Sequence, residues 1–152
     1  MKRYLKHTGI AILMLGVLLG GMLSISSVRN RLVLYFERDS IEQAVKHYFT
    51  CEMSRDFEKL YQCLSPSSVY RQSHTYEDFL ADVRNSPVRI REYTIVDIYN
   101  LRVNHDREAF PLVEKFVQAE VEVILYYTDT NQTFSFNQCF TFLKEGGIWL
   151  KG

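Results

Sequence analysis

Residues 133–152 read TFSFNQCFTFLKEGGIWLKG. In an extended chain alternate side chains fall on opposite faces. One face of this stretch then carries Phe134, Phe136, Gln138, Phe140 and Phe142. Gly146-Gly147 supplies a tight turn into a short last strand, Ile148–Lys151. A strand so apolar on one side must be covered there, and the cover has to come from upstream.

The segment before it has the same period of two. Val117, Ala119, Val121, Val123, Leu125 and Tyr127 oppose Gln118, Glu120, Glu122 and Tyr126. Further back, Tyr93, Ile95, Asp97, Tyr99, Leu101 and Val103 share one direction, against Glu92, Thr94, Val96, Ile98 and Asn100. Val88 and Ile90 have the opposite parity, which predicts a bulge near Arg91–Glu92.

Before Val88 the period becomes 3.6. Ile41, Ala44, Val45, Tyr48 and Phe49 form one helical face, with Ser40 and Gln43 as a capping box. Phe57, Leu60, Tyr61 and Leu64 form a second, capped by Ser54 and stopped at Pro66. Tyr76, Phe79, Leu80 and Val83 form a third, with Thr75 and Asp78 at the capping-box positions and Ser86-Pro87 at its close. The stretch SSVYRQSH between the last two fits a turn or a short strand. The order predicts an α+β domain over residues 40–152, with three helices packed on an antiparallel sheet. Phe134 to Phe142 are expected to pack on Tyr48, Phe49, Phe57, Leu60 and Phe79, or on their neighbours.

The N-terminus is of another kind. Lys2, Arg3 and Lys6 precede an uncharged run from Gly9 to Val28, about the length that crosses a bilayer. Ser24-Ile25-Ser26 also fits a signal-cleavage site. Arginines beside Tyr35 and Phe36 favour a retained anchor. The expected layout is a cytoplasmic tail and membrane anchor (or signal) over 1–28, a juxtamembrane linker over 29–39, and an extracytoplasmic domain, secreted if the signal is cleaved. Hydrophobic content of 47% with 24% charged residues marks a globular bulk. After residue 38 the chain holds twelve basic and seventeen acidic residues, a net of −5. An acidic domain without a basic stripe speaks against a nucleic-acid partner. The expected partners are a membrane and a protein, another copy of the chain included.

Cys51, Cys63 and Cys139 form no CxxC and no zinc-type spacing with a histidine, so neither metal nor cofactor is expected. Cys51 and Cys63 pair in an oxidising compartment or serve as small apolar fillers. His47 lies off the apolar stripe and is read as solvated.

The stretch AVKHYFTCEMSRDFEKLYQCLSP resembles the first two helices of the nuclear-transport-factor-two-like (cystatin-like) superfamily, and TFLKEGGIWLKG resembles its usual ending. The resemblance spans residues 40–152. It implies a cone-like domain, a curved sheet and helices enclosing a pocket, on a fold that hosts isomerases, dehydratases, binding modules and assembly scaffolds. With the N-terminal run included, the layout resembles the bitopic scaffold proteins of type IV secretion systems. Strand parity puts two polar residues, Asp97 and Gln138, on otherwise apolar faces. Tyr48, Tyr99, Tyr127 and Trp149 are expected to line a pocket with them. A buried Asp97 suits a general base acting next to a carbonyl; the alternatives are an edge Asp97 that is hydrated or paired with an arginine, or a pocket that binds without turnover. The reading favoured overall is a membrane-anchored, non-catalytic binding or assembly module, ahead of an isomerase- or lyase-type enzyme or a secreted ligand-binding protein.

Overall fold

The computed structural model describes residues 26–152, with side chains from Val28 onward. The proposed anchor or signal falls almost entirely on residues 1–25, outside the described residues. Among the described residues no helix is long and apolar enough to cross a membrane. The chain divides into two units, 1–36 and Glu37–Gly152, and the buried apolar residues, Ile41 onward, lie in the second.

The fold is α+β. Helix α1 (Ser26–Ser54) is followed by three short helices, α2 (Phe57–Gln62), α3 (Val69–Ser73) and α4 (Tyr76–Asn85). Then come β1 (Val88–Val103), β2 (Val113–Tyr127), β3 (Gln132–Glu145) and β4 (Ile148–Lys151), one antiparallel sheet in the order β1-β2-β3-β4.

Two helix starts differ from expectation. Residues 29–39 are helical, and Ser40 sits inside α1, its hydroxyl bonded back to the Glu37 carbonyl at 2.7 Å. Helix α2 is capped by Asp56, not Ser54; Asp56 accepts from Lys59 N after Arg55 takes a φ of 57°. The capping box at Thr75 and Asp78 forms as read, and SSVYRQSH contributes α3.

The core lies where α1 meets the inner sheet face. Ile41, Val45 and Phe49, one turn apart, are fully buried, as are Val117, Ala119, Val121 and Phe142. Phe49 stacks on Tyr93 of β1 at 4.7 Å and meets Phe140 of β3 edge-on at 5.2 Å. Tyr48 also reaches Phe140, at 6.4 Å. Phe57, Leu60 and Phe79 do not join this face. They pack instead around Cys51 and Cys63, where the end of α1 meets α2 and α4.

Half of the phenylalanine row is uncovered. Phe134 and Phe136 are 50% and 41% exposed. β4 pairs only with Phe142–Glu145, so the rest of β3 is an edge. Gln138, paired to the buried Val121, shares the inner face yet is exposed because it stands on that edge. At the other end of β3, Glu37 of α1 takes hydrogen bonds from Lys115 (2.5 Å) and Lys144 (2.8 Å). Burial pushes the Glu37 carboxyl up; the bonds from Lys115 and Lys144 overcome it and leave the group below 4.5.

Gly146 and Gly147, with φ of 55° and 81°, make the expected turn into β4. Cys63–Ser65 then clasps β4 from its far side. Lys151 N donates to Cys63 O at 2.8 Å, and Ser65 N donates to Lys151 O at 2.7 Å, a parallel bridge between Leu64 and Lys151.

Candidate functional site

The strand β1 decides where the sequence-derived residues go. It carries the expected bulge between Ile90 and Glu92, and two more, between Ile95 and Asp97 and between Tyr99 and Arg102. Each extra residue reverses the facing of the residues after it. Ile95 pairs with the buried Val121, but beyond the second bulge Ile98 takes the inner face opposite Ala119. Asp97 and Tyr99 are thereby turned to the outer face, opposite Glu120 and Gln118.

Asp97 is consequently no buried base. Its side chain is 55% exposed, lies 3.8 Å from Arg38, and accepts a hydrogen bond from Ile98 N at 2.7 Å. Tyr99 donates to Cys139 Sγ on the outer face at 3.5 Å. Gln138 is on the opposite face from Asp97, so the two do not converge. Tyr127 packs edge-on to Phe134 at 5.6 Å, at the far end of the β2–β3 hairpin. Of the six expected pocket residues, Tyr48 and Trp149 stand beside hollows, and those hollows are different ones.

The larger hollow is a cleft of about 420 Å³ between α1, α3, α4 and the end of β4. Tyr48, Leu64 and Phe79 give it an apolar wall; Lys151, Ser68 and Asp82 give it polar points. Two polar groupings serve it. On one side Tyr70 donates to Asp82 at 2.6 Å; partial burial and then that bond push the Tyr70 hydroxyl up to about 12. On the other, Tyr48 and Glu52 lie one helical turn apart and face Lys151, which pairs with the buried Phe142 and so shares the inner sheet face with Trp149, two residues before it. Burial raises Glu52 above 4.5, with the Tyr48 hydroxyl and Lys151 opposing the shift. Burial lowers Lys151 below 10.5, with Glu52 opposing. Burial also carries Tyr48 well above 10.0, and Glu52 adds to it. The trio holds a carboxyl and an amine whose charged forms are both penalised; Tyr48 and Lys151 line the cleft, and Glu52 lines a separate hollow of about 110 Å³ with Phe57 and Arg89. Sequence reasoning missed Glu52, Lys151, Tyr70 and Asp82. Glu52 had a signal, since it follows Tyr48 by one turn; the others meet only through tertiary packing.

The smaller hollow, about 270 Å³, lies between α1, the end of α2 and β4. His47, Cys63 and the buried Trp149 line it. All three cysteines are free thiols, Cys51 and Cys63 buried and Cys139 exposed. Burial, with Cys51 alongside, pushes the Cys63 thiol up to about 12. His47 is exposed as read, but the absence of a metal motif in the sequence does not carry through to space. His47, Cys51 and Cys63 bring their ligating atoms within 4.8 Å of one another.

No protein-family model matches the chain, and no curated protein matches it.

Proposed function

We propose that this chain is a non-catalytic assembly module, held at a membrane by the apolar run ending at Val28, which self-associates through the free edge of β3. The domain is taken as extracytoplasmic and its curved sheet as the cone-like, nuclear-transport-factor-two-like type.

One observation supports this reading above the rest. From Gln132 to Thr141 the β3 edge carries no charged residue, and its register against β2 runs without a shift from Val117–Phe142 to Tyr127–Gln132. Sheet edges invite further strands, and proteins blunt them with charge, proline or bulges. The opposite edge, β1, has three bulges and the charges of Arg89, Arg91, Glu92, Asp97 and Arg102. β3 has neither protection, and exposes Phe134 and Phe136 beside the gap. A second copy is the occupant this edge suits. An uncharged strand pairs antiparallel with itself about a two-fold axis without repulsion, and each copy would cover the other's phenylalanines.

The test is the mass of the full chain in detergent micelles by light scattering. The native chain is expected to be a dimer, and the Phe134→Lys, Phe136→Lys double variant a monomer with unchanged circular dichroism. A native monomer, or a dimer indifferent to the lysines, rejects the reading.

The apolar wall and polar points of the cleft support a second reading, a small-molecule pocket. Asp97 lies outside it, on the outer sheet face, and the carboxyl that lines it is Asp82, which accepts a hydrogen bond from Tyr70.

A further inference from the structure

The geometry points to a thiolate–imidazole site for Zn²⁺, formed by His47, Cys51 and Cys63 and open on its fourth side to the hollow beside Trp149.

The placement follows from the helices. His47 and Cys51 are four apart on α1 and so share a face. Cys51 Sγ lies 3.9 Å from His47 Nδ1 and 4.0 Å from Nε2. Zinc bonds of ~2.3 Å to sulfur and ~2.0–2.1 Å to nitrogen, set tetrahedrally, separate such ligand atoms by about 3.5–3.8 Å. Cys51 Sγ is nearly equidistant from the two ring nitrogens, so closing the site takes a turn of the exposed imidazole that aims one nitrogen at the ion, and up to about 1 Å of approach among the ligand atoms. Cys63 is presented by fixed backbone: its N–H bonds the Lys59 carbonyl at 2.9 Å and its carbonyl accepts from Lys151 N at 2.8 Å. All three ligating atoms lie within 4.8 Å of one another. Two buried ligands and one exposed ligand suit an ion that enters from the surface.

An independent observation comes from β4. Trp149 is 6% exposed, and its indole Nε1 is buried with no hydrogen-bond partner. Buried donors are nearly always satisfied. This one belongs to a side chain lining the same hollow as His47 and Cys63. A water or small anion on the fourth zinc position would supply an acceptor, as in zinc sites with three protein ligands and one exchangeable position. Binding forms two Zn–S bonds and one Zn–N bond and releases the two thiol protons to solvent, with no change of oxidation state.

The test uses the reduced, metal-stripped full chain in detergent, titrated with Co²⁺ and then Zn²⁺. Expected are one thiolate-to-cobalt charge-transfer band, the strong visible bands of a tetrahedral centre, and displacement by Zn²⁺ at one ion per chain. Cys139→Ala should leave the titration unchanged and Cys63→Ser should abolish the band. His47→Ala, at an exposed position, should weaken Zn²⁺ by more than ~100-fold, and Trp149→Phe by about tenfold, with circular dichroism unchanged. The proposal is overturned if the folded, reduced chain gives no charge-transfer band, or if the band survives both His47→Ala and Cys63→Ser. It is equally overturned if the chain holds a Cys51–Cys63 disulfide and takes up no Zn²⁺ after reduction.

Discussion

Glu52 sits where burial penalises its charged form. Its folded pKa is raised above 4.5 by burial, so above that pH the native state retains a proton that the unfolded chain has lost. Stability therefore falls as pH rises from 4.5 through the raised value. Glu52→Gln removes this slope, and urea unfolding across that range is expected to show a flatter profile than the native chain. Glu37 behaves in the opposite sense. Its folded pKa is held below 4.5 by Lys115 and Lys144 against the effect of burial, so its contribution is complete above 4.5 and fades as pH falls through the folded value. Glu37→Gln should cost about 2 kcal/mol at neutral pH, with the deficit shrinking in acid, read from the same unfolding curves. At this scale the sequence was legible where a residue's role is local. The surroundings of Asp97 were not, because parity counting along β1 cannot see two of its three bulges, and the one between Ile95 and Asp97 turned Asp97 to the outer face.

Among the elements, α4 is the one whose boundaries were readable from both ends. Thr75 accepts from Asp78 N at 3.2 Å, and Asp78 accepts from Thr75 N at 2.9 Å, so two otherwise unpaired N–H groups are satisfied by side chains three residues apart. Thr75→Ala should lower stability by about 1 kcal/mol, measured by thermal unfolding, and should loosen the α4 wall of the cleft. The same signal at Ser40 and Gln43 did not start a helix, since α1 already runs through them. A capping box records what a helix end would use; it cannot stop a helix whose preceding residues are also helical. β4 shows the reverse case. Four residues are too few for a confident period, yet Gly146-Gly147 announced it, and both glycines have the positive φ that such a turn needs.

For the molecule as a whole, the change from a 3.6 to a 2.0 period gave the architecture, four strands in a meander behind helices. What could not be read was how far the helices reach along the sheet, because β3 runs 14 residues and β4 only four. That mismatch leaves the Phe134–Phe136 end open and carries the assembly proposal. Like-charged domains of net −5 repel one another, whereas an uncharged edge with phenylalanines does not depend on ion pairs. Added salt is thus expected to tighten the dimer, measured by sedimentation equilibrium in detergent; loosening by salt would point to a contact made by charges elsewhere. The clasp of Cys63–Ser65 on Lys151 has a consequence of its own. The cleft and the smaller hollow are gripped by one pair of backbone hydrogen bonds, so a guest that tugs the Lys151 ammonium also tugs the strand holding the Cys63 sulfur. Whatever occupancy of one chamber does to the other's affinity, the reverse influence must be of equal size.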